Sequence, residues 1–220
     1  MIVTVEDLTR QERVDKPDNE PPPPQTHQPQ DGRTLRRLNS FDRAVDALLD
    51  LIQSGNSSPT AQQIAEKSGI SVRTVFRLTE DIEQLHAAAV ERQIERTAHL
   101  YVQIPATGSL SARIRALVEN RSSVFEVIAP TRRVAERLAE SSPLIAQGLA
   151  FHHDILQMQV AELFDRELCR ISRVRRPDAL SAVDVAASWE TWDQMRRVQG
   201  LSIASSARVV RQLIEGVLGK

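Results

Sequence analysis

From Thr34 onward the apolar residues Leu38, Phe41, Val45, Leu48, Leu49 and Ile52 recur at steps of three and four. That is the period of an amphipathic helix. Ser40 suits its cap, and Ser54-Gly55-Asn56 supplies a stop. Two short helices are expected next, over 60–67 and 71–78, opened by Thr60 and Ser71 and separated by Gly69. Further helical stretches follow over 81–102, 109–128, 130–140, 143–171, 177–198 and 202–218. Pro130 occupies a favourable first-turn position in the third of these. No window sustains the period-two alternation of a strand. The expected fold is all-α with about nine helices.

Residues 1–33 break the pattern. Pro17, Pro21 to Pro24 and Pro29 stand among charges, with little that could build a core. A proline run lacks backbone donors and favours extended geometry, so this stretch reads as a disordered tail. The expected organisation is a tail over 1–33, a small module over 34–85 and a larger helical domain over 86–220.

The short-helix pair carries the most specific signal. Two helices that cross steeply need a small residue at their contact, and Ala65 supplies it. The sharp turn between them needs a residue tolerant of positive φ, and Gly69 supplies that. Ile64, Ile70 and Val75 are expected inside, with Gln62, Glu66 and Lys67 outside. With Ser71 opening the second helix and a supporting helix upstream, this spacing describes a DNA-binding helix-turn-helix. Two amphipathic helices packed within a larger bundle are the plainer alternative.

The stretch TAQQIAEKSGISVRTVFRLTEDIEQLHAAAVER resembles the DNA-binding region of the TetR family of bacterial transcription regulators. Phe76 stands where that family has Tyr or Phe, Arg77 follows, and Glu83 and Leu85 open the linking helix. The segment TWDQMRRVQGLSIASSARVVRQLI is similar to the closing helices of actinobacterial members. The resemblance implies a cytoplasmic homodimer that binds a palindromic operator, most often as a repressor. It also implies a small-molecule effector held among the middle helices and dimerisation through the last two. Two departures stand out: the family has an aromatic at the position of Thr79, and a phosphate-contacting Lys at that of Ile82.

Composition adds limits. Charged residues make up 26% of 220 and the net charge is −1, so bulk charge does not announce a nucleic-acid binder. Between residues 40 and 85, Arg43, Lys67, Arg73 and Arg77 face Asp42, Asp46, Asp50, Glu66, Glu80, Asp81 and Glu83, a balance of −3. That is unfavourable beside a polyanion. Arg33, Arg36 and Arg37 restore neutrality, so they are expected along phosphates or in a flanking minor groove. On the recognition helix the expected contact set is Ser71, Val72, Arg73, Thr74, Phe76 and Arg77, with Thr60 at the preceding helix start. Arg73 suits bidentate guanine readout, Val72 a thymine methyl, and Arg77 a phosphate.

In the second half, Tyr101, Val124, Phe125, Ile128, Phe151, Ile155, Met158, Trp189 and Trp192 are expected to face an effector pocket, although such residues at helical spacing also build plain core. Val209, Val210, Leu213, Ile214, Val217 and Leu218 form a wide stripe on the last helix, and Ala182, Ala186 and Ala187 allow close helix approach. These are the expected dimer contacts. His152 and His153 diverge by about 100° on a helix and cannot chelate together. The lone Cys169 can form no internal disulfide and is expected to pack within a helix. No phosphate loop, HExxH or nucleophile elbow is present, and nothing ties His27 or Asp178 to a nucleophile. No cofactor, metal, catalysis or membrane span is expected. A helical protein-interaction module that uses the motif as scaffold is the remaining alternative.

Overall fold

The structure, a computed structural model, describes residues 32–78 and 82–219. The tail expected over 1–33, apart from its last two positions, lies outside the described residues, as do Thr79, Glu80 and Asp81. Among the described residues there are ten α-helices and no strand. They are α1 (Gly32–Gln53), α2 (Ala61–Ser68), α3 (Val72–Leu78), α4 (Ile82–Thr97), α5 (Leu110–Ala139), α6 (Pro143–Leu163), α7 (Asp165–Leu168), α8 (Arg176–Ala186), α9 (Trp189–Asp193) and α10 (Ile203–Leu218). A 3₁₀ turn (Ala98–Leu100) extends α4, and a π-helical turn (Gln194–Val198) follows α9. No helix among the described residues is long and apolar enough to cross a membrane.

The apolar spacing explains two cores. In the first, Val45, Leu48, Leu49 and Ile52 of α1 meet Ile64 and Ala65 of α2, Val75 and Leu78 of α3, and Leu85 and Ala89 of α4. Each large aliphatic side chain fully buried there contributes about 1.5–3 kcal/mol. The second core gathers Ile114, Leu117, Val124 and Phe125 of α5 with residues of α6, α8, α9 and α10. Helix α5 serves both: Ile128 belongs to the second core, whereas Val134, less than two turns on, belongs to the first.

Pro130 lies at that changeover, inside α5 rather than at the start of a new helix. It forgoes one backbone hydrogen bond, but burial on both sides keeps the helix continuous. Other boundaries differ as well. Ser40 does not cap α1; its hydroxyl donates to the Arg36 carbonyl at 2.8 Å within the helix. The stretch 143–171 breaks at Phe164, whose ring is fully buried beneath the Arg113 guanidinium. The stretch 177–198 breaks at Ser188, which caps α9 by accepting from the Thr191 amide at 3.2 Å. Cys169 is exposed rather than packed, with its thiol 3.4 Å from an Asp165 oxygen.

Candidate nucleic-acid interface

Helix α3 has only seven residues, so its position depends on its supports. Thr60 caps α2 by accepting from the Gln63 amide at 3.2 Å, and the Gln63 side chain accepts from the Thr60 amide at 2.9 Å. This reciprocal capping box is legible in the Thr-x-x-Gln spacing. Gly69 ends α2 at φ 67°, with its amide on the Ala65 carbonyl at 2.8 Å. Arg43 of α1 donates to the Ser68 carbonyl at 2.5 Å, placing a cation at the C-terminal end of the α2 dipole. A Cβ at position 69 would sit 2.8 Å from that same guanidinium. The left-handed backbone therefore favours glycine here, and a larger residue would also have to displace the end of the Arg43 side chain.

Ser71 caps α3 by accepting from the Thr74 amide at 3.1 Å, and the two hydroxyls are 2.8 Å apart. Their hydrogen bonds are thus partly taken up locally. Val75 and Leu78 are buried, which turns Arg73, Phe76 and Arg77 outward. Phe76 is 61% exposed, and with Arg73, Thr74 and Arg77 it lines an open surface recess. Among the described residues neither Arg73 nor Arg77 has an ion-pair partner; Glu80 and Asp81 are not among them. Val72 is half-buried against the first core, so packing claims much of the side chain expected at a thymine methyl. Arg36 and Arg37 are exposed on α1, which begins at Gly32. They therefore stand on a helix and not on an arm free to thread a minor groove.

The acids of α1 are answered from outside the motif, although Glu91 and Glu95 offset Arg92 and Arg96 and keep the balance over residues 40–96 at −3. Asp46 is 2.6 Å from Arg92 and 2.9 Å from Arg96, both on α4. Asp42 also reaches Arg92 at 3.1 Å, and Asp50 reaches Arg96 at 3.0 Å. Three acids of α1 are thus covered by two cations of the linking helix. A count that stops at residue 85 misses them.

The same linking helix borders the second half. Gln53, the last residue of α1, donates to Gln93 Oε1 of α4 at 2.8 Å and to Thr131 Oγ1 of α5 at 2.9 Å. Arg137 of α5 donates to the Ser57 carbonyl at 2.8 Å, and Ser142 donates to Glu83 at 2.5 Å. A mainly apolar cavity of about 40 Å³ lies directly beyond, between α4, α5 and α6, with Gln93, Thr131, Ile128 and Tyr101 in its wall. That is room for about three waters.

The expected pocket residues divide. Tyr101 and Ile128 line this cavity. Val124, Phe125, Trp189 and Trp192 are buried core, with Phe125 edge-on to Trp189 at 5.8 Å. Phe125 and Trp192 border one smaller cavity, and Trp189 borders another. Phe151, Ile155 and Met158 do not face inward; they are exposed along α6, Phe151 by 65%. The inner face of α6 is instead taken by His152, Leu156 and Val160. His152 Nε2 is 2.8 Å from the Tyr101 hydroxyl, whereas His153 faces Asp184 at 3.5 Å. Burial, then Arg132, Arg121 and His153, lower the His152 pKa to about 4.

The expected dimer contacts divide too. Ala186, Ala187, Val210, Ile214 and Leu218 are buried within the subunit, where α8 and α10 pack together. Ala182 and Leu213 are exposed, and Val209 and Val217 half-buried.

No family model matches this chain, and no curated protein matches it in sequence. Its fold is similar to the crystal structure of a transcriptional regulator from Rhodococcus sp. Rha1, with a TM-score of 0.62 at 14% identity. The alignment covers 82% of this chain and 96% of that one. The likeness agrees with an all-α fold that joins a helix-turn-helix to a helical bundle.

Proposed function

We propose that this chain is a sequence-specific DNA-binding transcription regulator of the TetR type. It acts as a ligand-responsive repressor, a homodimer on a palindromic operator whose DNA affinity changes when a small-molecule effector binds. The observation that carries the reading is α3: a short helix braced from behind by Val75 and Leu78, with Arg73, Phe76 and Arg77 directed outward. Arg73 reads a guanine edge, Arg77 and the Ser71–Thr74 pair meet phosphates, and Arg36 and Arg37 lie along the backbone. Ala182, Val209, Leu213 and Val217 form the accessible side of the dimer helices. The effector site is the cavity beside Gln93 and Thr131, from which a displaced α4 would alter the spacing of paired recognition helices. A difference of about 1–3 kcal/mol between the two states suffices.

Footprinting the purified protein across the DNA flanking its own gene tests this. The expected result is protection of two related half-sites whose centres lie about one helical turn apart, or a multiple of it. The salt dependence of the same binding reads the share carried by Arg36 and Arg37. A protein-interaction scaffold would show no preference for any duplex.

A further inference from the structure

Arg121 of α5 is 3% exposed, in a wall of Leu117, Val118, Phe125 and Leu156. Its Nη2 donates to the Leu156 carbonyl at 3.1 Å, but its Nε and Nη1 are buried with no hydrogen-bond partner. A buried cation with unpartnered donors is costly, and the Asp184 carboxylate offsets the Arg121 charge only in part, without a hydrogen bond to it. Burial lowers the pKa of Arg121 to about 10, so it stays charged at neutral pH.

The guanidinium borders two small cavities, one against Trp192 and one against Trp189. The second also holds Asp184 and Glu190, the acids that could have answered it. Neither hydrogen-bonds Arg121: Asp184, whose charge still acts on it, accepts from Gln157 at 3.2 Å and faces His153, and Glu190 pairs with Arg132 at 3.2 Å. The second cavity shares Arg132 and His152 with the apolar cavity between α4, α5 and α6. A cation with open donors is therefore separated from an apolar space of limited size by the shared Arg132 and His152.

We propose that this region binds a small organic monoanion, a carboxylate on a short apolar body. The carboxylate accepts from Arg121, and the body occupies the apolar cavity beside Tyr101 and Ile128. A water molecule would answer the open donors without adding charge; a carboxylate answers the donors and completes the partial compensation from Asp184. The inference rests on the effector-site reading above and gives that effector a chemical class.

Trp189 and Trp192 are the chain's two tryptophans and border the two Arg121 cavities, so their fluorescence reports occupancy without DNA. The full-length protein is titrated with propionate and butyrate, and separately with propionamide and butyramide, whose two- and three-carbon bodies match a space of about 40 Å³. The acids are expected to shift the emission saturably and to bind at least about tenfold more tightly than the amides. Arg121→Met replaces the cation with an apolar chain of similar reach. It is expected to raise the thermal midpoint of the unliganded protein and to abolish the preference for acids. The proposal is overturned if acids and amides bind alike, or if no acid alters the emission up to about 10 mM. It is equally overturned if Arg121→Met keeps the preference; should that variant not fold, the acid-against-amide comparison on the native chain decides alone. Acid binding by a protein that ignores operator DNA would keep this site and remove the regulator reading, and the converse pair of results would do the reverse.

Discussion

Gln53 Nε2 donates both to Gln93 Oε1 and to Thr131 Oγ1, so the last residue of α1 joins the linking helix to α5. Both acceptors are buried, Gln93 at 6% and Thr131 at 3% exposed, and both line the apolar cavity. Removing the donor leaves two desolvated polar groups unanswered. Gln53→Ala is expected to cost about 1–3 kcal/mol in denaturant unfolding. In a double-mutant cycle with Thr131→Val the two losses should be less than additive. Strict additivity would show that the junction does not couple the helices.

Gly69 meets two separate demands, a positive φ and a 2.8 Å approach to the Arg43 guanidinium. Gly69→Ala is expected to destabilise the protein by about 1–3 kcal/mol. Because Arg43 would have to leave the Ser68 carbonyl, DNA binding should fall by more than the loss of stability explains. Thermal unfolding and binding measured on one preparation separate the two effects.

The ion pairs between α1 and α4 cover three acids of the proposed DNA-binding module. Exposed pairs of this kind contribute at most about 1 kcal/mol each to stability. Replacing Arg92 and Arg96 together by Met should thus change unfolding modestly. It would, however, uncover Asp42, Asp46 and Asp50. DNA affinity is expected to drop at low ionic strength, with the deficit shrinking as salt rises. A deficit independent of salt would contradict the electrostatic role.

His152 gives a pH signature. Its pKa is lowered in the folded protein to about 4, below the ordinary value of 6.5, so the unfolded chain takes up the proton first. Stability is therefore fully present above about pH 6.5 and is lost as pH falls toward 4. Glu167 titrates below its ordinary range because Arg113 donates to its carboxylate, so its contribution is lost only as pH falls beneath that range. His152→Gln is expected to flatten the unfolding free energy between pH 6.5 and 4 relative to the native chain. An unchanged slope would remove His152 as its cause.

The helix-turn-helix was legible because its determinants are local. Ala65, Gly69 and Ser71 act within one or two turns, and the period of α1 fixes which face is buried. Pro130 misled because proline reports only its own missing donor, whereas the continuity of α5 depends on residues packed from five other helices. Phe151, Ile155 and Met158 misled for a related reason. Apolar spacing defines a stripe, but which side of α6 turns inward was decided by His152, Leu156 and Val160. Arg92 and Arg96 lie beyond the motif, and Arg121 is one of many arginines, so neither role has a signature in sequence spacing.

The most direct measurement compares the footprinted duplex with a scrambled one for the native protein and for Arg73→Ala, by fluorescence anisotropy at fixed salt. The account predicts a clear preference for the native site, with Arg73→Ala losing about 1–3 kcal/mol of that preference while keeping its fold by circular dichroism. Equal affinity of the native protein for both duplexes would contradict it, as would an Arg73→Ala variant that discriminates as well as the parent.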